Sequence, residues 1–443
     1  MNISDALTEK LLVIADKIAN QKHMYAIKTA FTTLMPVIIT GAFCTLIVNV
    51  VCSTTTTGIS LAKVGGFAWL EVFTDLFNAA NYATLNFFTV AAVVLIGLEL
   101  GVKNKIKGFM PGIVAVCCFV ACLSTNIVAT IGEESVTVAG LAKDYTASKG
   151  LFLGMIIALV SVELFTKLCQ SKYLKINMPN SVPPNVTSSF NNLFPFALTV
   201  IICATINFAA FKFIDLSLYD IIYTFVQQPL QAIVQGLPGV LVLMLVAQIF
   251  WCVGIHGNQI IKPVRDPLLN AAILANTELV ANPNYNPADL NIISMSFWDT
   301  YGNIGGSGCV TGLLIACLLF SKREDYKQVA KLSIMPGVFN ISETMHFGLP
   351  IMLNPLLMIP FILAPLITMA FGYLMTILGF AGVLMYAFPW TTPPVINAWI
   401  ASGGNIGTVV TQLLCILITI GIYAPFVMIA NKQRNAAETV EAQ

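Results

Sequence analysis

Charge is scarce in this sequence. Only 10% of its 443 residues are charged, 57% are hydrophobic, and the mean hydropathy is +0.83. A soluble domain carries about a quarter charged residues. The scarcity of charge excludes an ordinary water-soluble protein and predicts a chain that lies largely in a lipid bilayer.

The marks of nucleic-acid and metal binding are missing as well. A net charge of +1 provides no strongly basic surface for nucleic acid. The eleven cysteines form neither a CxxC pair nor the Cys/His spacing of a metal site, so they are predicted to be small buried hydrophobic residues. We predict no metal, no cofactor and no nucleic-acid partner.

The amino terminus does not have the pattern of a cleavable signal peptide. Residues 1–27 mix polar and apolar residues with charges of both signs, whereas a signal peptide has a short basic head before an apolar core. This segment is predicted to form a cytoplasmic or interfacial helix.

What the sequence does have is a series of apolar runs near the roughly 20 residues that a helix needs to cross the hydrocarbon. The runs are apolar on every face, which excludes the alternating strands of a membrane barrel. The sequence therefore predicts an all-α integral membrane protein. The clearest runs are Phe31–Val51, Phe87–Gly101, Met110–Leu123, Leu151–Leu168, Phe196–Phe213 and Val240–Ile255.

The basic residues predict the topology. Most of the 22 lysines and arginines fall in five segments, which face the cytoplasm by the positive-inside rule. Both termini are then cytoplasmic and the number of crossings is even, so we predict about ten transmembrane helices in a bacterial inner membrane. The five segments are 10–28, 103–107, 167–175, 322–331 and 432–434.

The second half of the chain is interrupted. Proline, glycine and polar residues break residues 240–405, and such backbone is tolerated at membrane depth only where it is buried in protein or lines a wet cavity. Interrupted apolar segments are therefore the best sequence indication of a transport site. The broken stretches read GIHGNQIIKPVRDP, DTYGNIGGSG, GVFNISETMHFGLPIMLNP and FPWTTPPVINAW.

Two ionisable residues in these stretches are candidate substrate ligands. Glu343 lies between Phe339 and Phe347, and an intramembrane carboxylate costs roughly 2.5–3.5 kcal/mol, which favours a role as hydroxyl acceptor or general base. The alternative for Glu343 is a buried structural carboxylate. His256, flanked by two glycines, either binds the substrate or is a satisfied core group.

Trp390 is the predicted aromatic contact, because Pro389, Pro393 and Pro394 hold its segment in a non-helical path. A position at the membrane interface, where tryptophan is enriched, is the alternative for Trp390. Asn258 adds hydrogen-bonding capacity, although turn chemistry explains an asparagine beside glycine equally well.

The sequence resembles the membrane permease subunit, enzyme IIC, of the lactose/cellobiose (chitobiose, beta-glucoside) family of the phosphoenolpyruvate-dependent sugar phosphotransferase system. Residues 175–193, KINMPNSVPPNVTSSFNNL, have the family form KxxMPxxVPPxVxxSFxxL. The segments FWCVGIHGNQI and FNISETMHFGLPIMLNP resemble its histidine segment and its NINEP-type signature. In the signature, Ser342 stands where asparagine is usual and Thr344 where proline is usual, and this departure bears on the choice of sugar.

The resemblance implies a homodimer built from two membrane domains. Residues 28–215 form the dimer interface, and residues 216–430, with two re-entrant hairpins, enclose one sugar in each protomer. Residues 431–443 form a cytoplasmic tail.

The resemblance also implies roles for the site residues. His256 and Glu343 hydrogen-bond the sugar hydroxyls, and Glu343 accepts the proton of the C6 hydroxyl as phosphate arrives. Asn340 and Ser342, at a hairpin tip, add backbone or side-chain contacts, and Trp390 stacks on a sugar ring.

Phosphate in such a system comes from a phosphocysteine of enzyme IIB, which enzyme IIA charges. The terminal segments outside the apolar runs contain no cysteine. We therefore predict that enzyme IIB is a separate polypeptide, with which this permease delivers a phosphorylated disaccharide of the cellobiose, lactose or chitobiose type.

A proton-coupled secondary sugar symporter is the alternative function that the residues leave open. Glu343 and His256 then form a proton relay, since intramembrane carboxylates and histidines also mark proton paths. A symporter accumulates unmodified sugar, whereas a phosphotransferase permease delivers sugar phosphate. A channel fits poorly, because the broken polar segments cluster in one half of the chain.

Overall fold

The computed structural model describes residues 21–55, 60–106, 108–131, 134–176, 178–179, 183–282, 284–349, 351 and 354–441. These residues form two compact units. Residues 21–41 and 80–231 make up the N-terminal unit, and residues 42–79 and 232–441 make up the C-terminal unit. Most of the predicted helix at residues 1–27 lies outside the described residues, and the predicted roles of the two membrane domains stay predictions.

Of the first nine helices, α1, α3, α4, α6 and α7 overlap the apolar runs of the sequence. Three of the nine, α1, α2 and α9, contribute residues to both units. The nine are α1 (Lys22–Ile47), α2 (Thr74–Leu85), α3 (Phe88–Lys103), α4 (Met110–Ala121), α5 (Lys143–Thr146), α6 (Leu151–Gln170), α7 (Pro184–Ile214), α8 (Leu218–Ile222) and α9 (Gln228–Val234).

The remaining helices belong to the C-terminal unit and are more often interrupted. They are α10 (Leu237–Cys252), α11 (Gly257–Val280), α12 (Met295–Phe297), α13 (Val310–Phe320), α14 (Glu324–Val338), α15 (Glu343–Gly348), α16 (Pro355–Ile377), α17 (Ile396–Ala401) and α18 (Ile406–Glu441). Short helices such as α12, α15 and α17 flank the breaks that the sequence predicts.

Seven helical segments among the described residues are long and apolar enough to cross a bilayer, or up to eight if the bent pair Leu218–Val234 and Leu237–Cys252 is one span. The protein is therefore a multi-pass membrane protein. With 12 residues, α4 is a shorter apolar helix outside this count. The ten crossings and the two re-entrant hairpins stay predictions.

One element departs from the all-α prediction. Strands β1 (Asn126–Ile131) and β2 (Glu134–Ala139) pair antiparallel in the connection between α4 and α5. Asn126 lies opposite Ala139, and Ile131 lies opposite Glu134. Valine and threonine occur in both segments and isoleucine in the first, and these β-branched residues favour strands. The hairpin was missed because hydropathy detects spans and not short connecting strands.

Proline has less effect on α11 than the sequence predicts. The stretch GIHGNQIIKPVRDP is expected to be broken throughout, but the chain leaves the helical path only between Cys252 and Gly257. From Gly257 onward α11 continues through Pro263 and Pro267. Membrane helices tolerate such prolines because neighbouring groups and local adjustments satisfy the freed backbone groups.

Small residues bring the helices of the N-terminal unit together. A Cβ added at Gly97 of α3 would lie 2.7 Å from the Cβ of Ala115 and 2.8 Å from the carbonyl oxygen of Pro111. A Cβ added at Gly154 of α6 would lie 2.7 Å from Cγ2 of Val93. Small residues at such contacts let membrane helices gain van der Waals energy, because lipid provides no hydrophobic force between them.

Gly97→Ala is expected to destabilise the protein by about 1–3 kcal/mol, because the added methyl group overpacks the contact between α3 and α4. Gly421→Ala in α18 is the matched control, since a Cβ there meets no described atom within 4 Å. Thermal melting of the purified protein in detergent compares the two variants. Equal melting temperatures for both would contradict the close approach of α3 and α4.

Candidate functional site

The predicted site residues all lie in the C-terminal unit, on its breaks. His256 and Asn258 stand where α11 begins, and Glu343 stands where α15 begins. Trp390 lies in the loop at residues 378–395, which joins α16 to α17. A fourth break, the loop at residues 302–309, contacts two of these segments through hydrogen bonds and close packing.

Glu343 and His256 form the centre of the site. Nε2 of His256 lies 3.8 Å from Oε1 of Glu343, and their side chains are 41% and 46% exposed. A carboxylate only accepts hydrogen bonds, whereas an imidazole donates and, when neutral, also accepts. A polar solute can therefore reach both groups and find an acceptor beside a donor. The structure brings together the two residues that the sequence groups.

A packed aromatic layer supports His256. The ring centroid of Trp251 lies 4.3 Å from that of His256 and 4.4 Å from that of His346, which contacts Phe361 edge-on at 5.1 Å. Trp251 and His346 are buried. Ring contacts of this kind restrict rotation of the His256 side chain. The sequence does not single out Trp251 or His346, since a ring that supports a binding site and a ring that only packs in the core have the same local sequence pattern.

The segment before Glu343 is held on two sides. Nδ1 of His346 lies 2.7 Å from the carbonyl oxygen of Ser342, so Nδ1 donates and fixes the start of α15. Ser342 is buried, and a Cβ at Gly306 would lie 2.6 Å from its Cβ. Besides this close approach, Gly306 has φ 101°, a backbone conformation that glycine adopts without steric cost. The contact of Ser342 with a substrate stays a prediction.

Asn340 joins three segments through one side chain. Its Oδ1 accepts from the backbone N–H of Gly305, and its Nδ2 donates to the carbonyl oxygens of Trp390 and Thr392, each at 2.8 Å. Asn340 is buried and has φ 59°, a left-handed conformation that asparagine tolerates. These bonds give the side chain a structural role, while its predicted contact with a substrate stays a prediction.

Trp390 is 49% exposed, and its loop is anchored by a buried glutamine. Oε1 of Gln412 accepts from the backbone N–H of Val395 at 2.5 Å, and its Nε2 donates to the carbonyl oxygen of Thr300 and to Oδ1 of Asn397, both at 2.8 Å. The indole of Trp390 therefore stays accessible on a fixed backbone. Sequence reasoning missed Gln412, although an amide inside an otherwise apolar helix was a usable signal.

Asn258 belongs to a polar chain. Its Nδ2 donates to Oγ of Ser307 at 2.9 Å and lies 3.5 Å from Oδ1 of Asn303. Nδ2 of Asn303 donates in turn to Oδ1 of Asp299 at 3.2 Å. Asn258 is thus tied to the loop at residues 302–309, which also packs against Ser342.

Charged residues are also buried along α11. Nη2 of Arg265 lies 2.6 Å from Oδ1 of Asp266, and Nζ of Lys262 lies 4.0 Å from Oδ2 of Asp266. The guanidinium of Arg265 lies over the ring of Trp298, 5.0 Å from its centroid. Pairing of this kind is how membrane proteins accommodate buried charge.

In the described part of the chain, no three His, Cys, Asp or Glu residues are grouped so that they could hold a metal ion.

Comparison with known proteins gives a consistent result along the whole chain. The family profile described as "Phosphotransferase system, EIIC" matches residues 28–365. The oligo-beta-mannoside-specific EIIC component of Bacillus subtilis (strain 168) is 31% identical, covering 99% of this chain and 96% of the relative. The cellobiose-specific EIIC component of Lactococcus lactis subsp. lactis (strain IL1403) is 30% identical, covering 98% of this chain and 99% of the relative.

A solved structure agrees with the sequence matches. The crystal structure of the transporter ChbC, the IIC component from the N,N'-diacetylchitobiose-specific phosphotransferase system, is similar with a TM-score of 0.87 and 30% identity. The match covers 98% of this chain and 99% of that chain. The resemblance seen in the sequence is thereby confirmed over both halves of the protein.

Asn340→Ala is expected to destabilise the protein by about 2–4 kcal/mol, because it removes three hydrogen bonds and leaves buried backbone groups unpaired. Asn340→Gly tolerates the left-handed backbone but makes none of the three bonds, so it separates conformational cost from hydrogen bonding. Melting curves in detergent measure both. If Asn340→Gly melted like the wild type, the hydrogen bonds would not hold the site together.

Proposed function

Because this chain belongs to the EIIC family of the phosphotransferase system, it is a sugar permease, and we propose that it presents the C6 hydroxyl of a β-linked disaccharide for phosphorylation. Relatives named for oligo-beta-mannosides, cellobiose and diacetylchitobiose support this class of substrate. Cellobiose is the first sugar to test.

The pair of Glu343 and His256 carries the proposal. An intramembrane carboxylate 3.8 Å from an imidazole, with both side chains nearly half exposed, suits a sugar hydroxyl that donates to one group and accepts from the other. The exposed face of Trp390 suits the apolar C–H face of a sugar ring. Together these residues supply the hydrogen bonds and the flat contact by which sugars are bound.

The transfer step needs little covalent chemistry from this chain. The C6 oxygen of the sugar attacks the phosphorus of the phosphocysteine on enzyme IIB, so a P–O bond forms and the P–S bond breaks. The cysteine sulfur leaves as a thiolate, and Glu343 accepts the hydroxyl proton. Permease residues contribute by orienting the hydroxyl towards the donor, which converts a bimolecular encounter into an ordered one.

Enzyme IIB is proposed to be a separate partner, charged in turn by enzyme IIA. This chain covers 96% and 99% of the relatives called EIIC, but 74% of the lactose-specific EIICB component of Streptococcus mutans, to which it is 27% identical. The names of these relatives support a IIC protein that works with a IIB protein.

We further propose a homodimer in a bacterial plasma membrane, with both termini in the cytoplasm. The positive-inside rule supports the orientation. Breaks at residues 302–309 and 339–342 support the two re-entrant hairpins, because irregular backbone at membrane depth must be buried in protein or line a cavity. Chemical crosslinking in membranes tests the dimer.

Glu343→Gln is expected to bind cellobiose within about fivefold of the wild type, because the amide still hydrogen-bonds. Its phosphorylation rate is expected to fall about 10²- to 10⁴-fold, because the proton acceptor is gone. Equilibrium binding of radiolabelled cellobiose and single-turnover transfer from phosphorylated enzyme IIB measure the two effects separately.

Glu71→Gln is the matched control for Glu343→Gln. Glu71 is an exposed glutamate that accepts a hydrogen bond from Oγ1 of Thr54, which an amide oxygen also does, so this variant should transport normally. Wild-type phosphorylation by Glu343→Gln would rule out Glu343 as the proton acceptor.

The energy source distinguishes the proposed permease from a symporter. Vesicles that contain the protein are supplied with radiolabelled cellobiose, with and without phosphoenolpyruvate and the soluble phosphotransferase proteins. Phosphorylated cellobiose that forms only with those components is the expected result. Accumulation of free cellobiose on a proton gradient would instead make His256 and Glu343 a proton relay.

A further inference from the structure

The polar chain from Asp299 through Asn303 to Asn258 sets which way each amide points. A carboxylate only accepts hydrogen bonds, so Asp299 draws the NH₂ group of Asn303 towards itself, at 3.2 Å. The oxygen of Asn303 then faces Asn258, with Nδ2 of Asn258 at 3.5 Å. A flipped Asn258 would bring two amide oxygens face to face, which is electrostatically unfavourable.

Ser307 is compatible with this arrangement but does not decide it. Its hydroxyl accepts from Nδ2 of Asn258 at 2.9 Å, and a hydroxyl could equally donate to an amide oxygen. The preference for one orientation of Asn258 therefore originates at Asp299 and passes through Asn303.

The orientation leaves one acceptor unused. Oδ1 of Asn258 is shielded from solvent and has no hydrogen-bond partner among the described residues. An unsatisfied buried acceptor costs about 1–3 kcal/mol, so a ligand that donates to it gains affinity. A sugar hydroxyl is such a donor.

The position of Asn258 relates this acceptor to the substrate site. Asn258 lies two residues after His256, in the first turn of α11. Its partner Ser307 follows Gly306, which packs against Ser342, the residue before Glu343. Asn258 therefore lies on the helix that begins beside His256, and it bonds the loop at residues 302–309, which packs against the segment before Glu343.

We propose that Asp299 and Asn303 are positioning residues, which fix the amide of Asn258 so that its oxygen accepts a hydrogen bond from one hydroxyl of the bound disaccharide. The proposal rests on the proposed function. It assigns Asp299 a role other than charge balance with Arg265 and Lys262, the basic residues of α11 within electrostatic range of it.

Asp299→Asn is expected to weaken cellobiose binding about two- to tenfold. An amide at position 299 presents either its oxygen or its NH₂ group to Asn303, so the productive orientation of Asn258 is populated only part of the time. The double variant Asp299→Asn/Asn303→Asp is expected to restore wild-type affinity. In it, the carboxylate at position 303 accepts directly from Asn258 and from the new amide.

The double variant separates positioning from charge balance. It moves the negative charge from position 299 to position 303 and reverses the bond between these two residues, but it keeps an acceptor opposite Nδ2 of Asn258. If Asp299 served only to neutralise its basic neighbours, the double variant would bind no better than Asp299→Asn. Should Asp299→Asn itself melt early in detergent, the double variant and Asn258→Ala, which removes the acceptor, still decide the matter.

Monodeoxy cellobioses supply a readout that a structural role would not change. In the wild type, removal of the hydroxyl that donates to Asn258 should cost about tenfold in affinity. In Asn258→Ala that penalty should vanish for this one hydroxyl and remain for the others, and in Asp299→Asn it should shrink. Equal penalties in all proteins would overturn the proposal.

The outcomes distinguish this proposal from the proposed function. Wild-type protein that binds and phosphorylates cellobiose, together with an Asp299→Asn variant of unchanged affinity, would overturn the positioning role alone. Wild-type protein that binds none of cellobiose, lactose and diacetylchitobiose would overturn the substrate class and this proposal together.

Discussion

Asn340 imposes the constraint on which the geometry of the site depends. Its one amide bonds the backbone of Gly305, Trp390 and Thr392, all at 2.8 Å, and so joins its own segment to two others that are far apart in sequence. Interrupted backbone at membrane depth cannot turn to water, and each unsatisfied group there costs several kcal/mol. Because α15 begins three residues after Asn340, the direction of Glu343 follows from the same bonds.

The site combines accessible ligands with buried supports. Glu343 and His256 are each nearly half exposed, whereas Trp251, His346 and Ser342 behind them are buried and closely packed. A locked supporting layer holds reactive groups near a productive geometry at little entropic cost during the reaction. That division suits the proposed function, in which the permease orients one hydroxyl for a phosphate donor on enzyme IIB.

The sequence is sufficient for features that depend on local composition and not for those that depend on distant contacts. Apolar runs predicted α3, α4 and α6 within a few residues, and an ionisable residue inside an apolar stretch was enough to select Glu343. The hydrogen-bond partners of Gln412 and Asn340 could not be predicted in this way, since they lie up to 112 residues away. An amide beside a glycine or inside a helix has the same local pattern whether it binds a ligand or the backbone.

Uncharged amides explain how a membrane protein can hold such irregular loops. Val395 is a β-branched residue at φ 75°, a conformation that costs of order 1–3 kcal/mol, and it persists because Gln412 accepts from its N–H. An amide donates and accepts at once without the desolvation penalty of a charge. Carboxylates can therefore be kept for positions where a charge is needed, such as the contact of Asp266 with Arg265 on α11, the contact of Asp299 with Asn303, and Glu343 with its proposed role as proton acceptor.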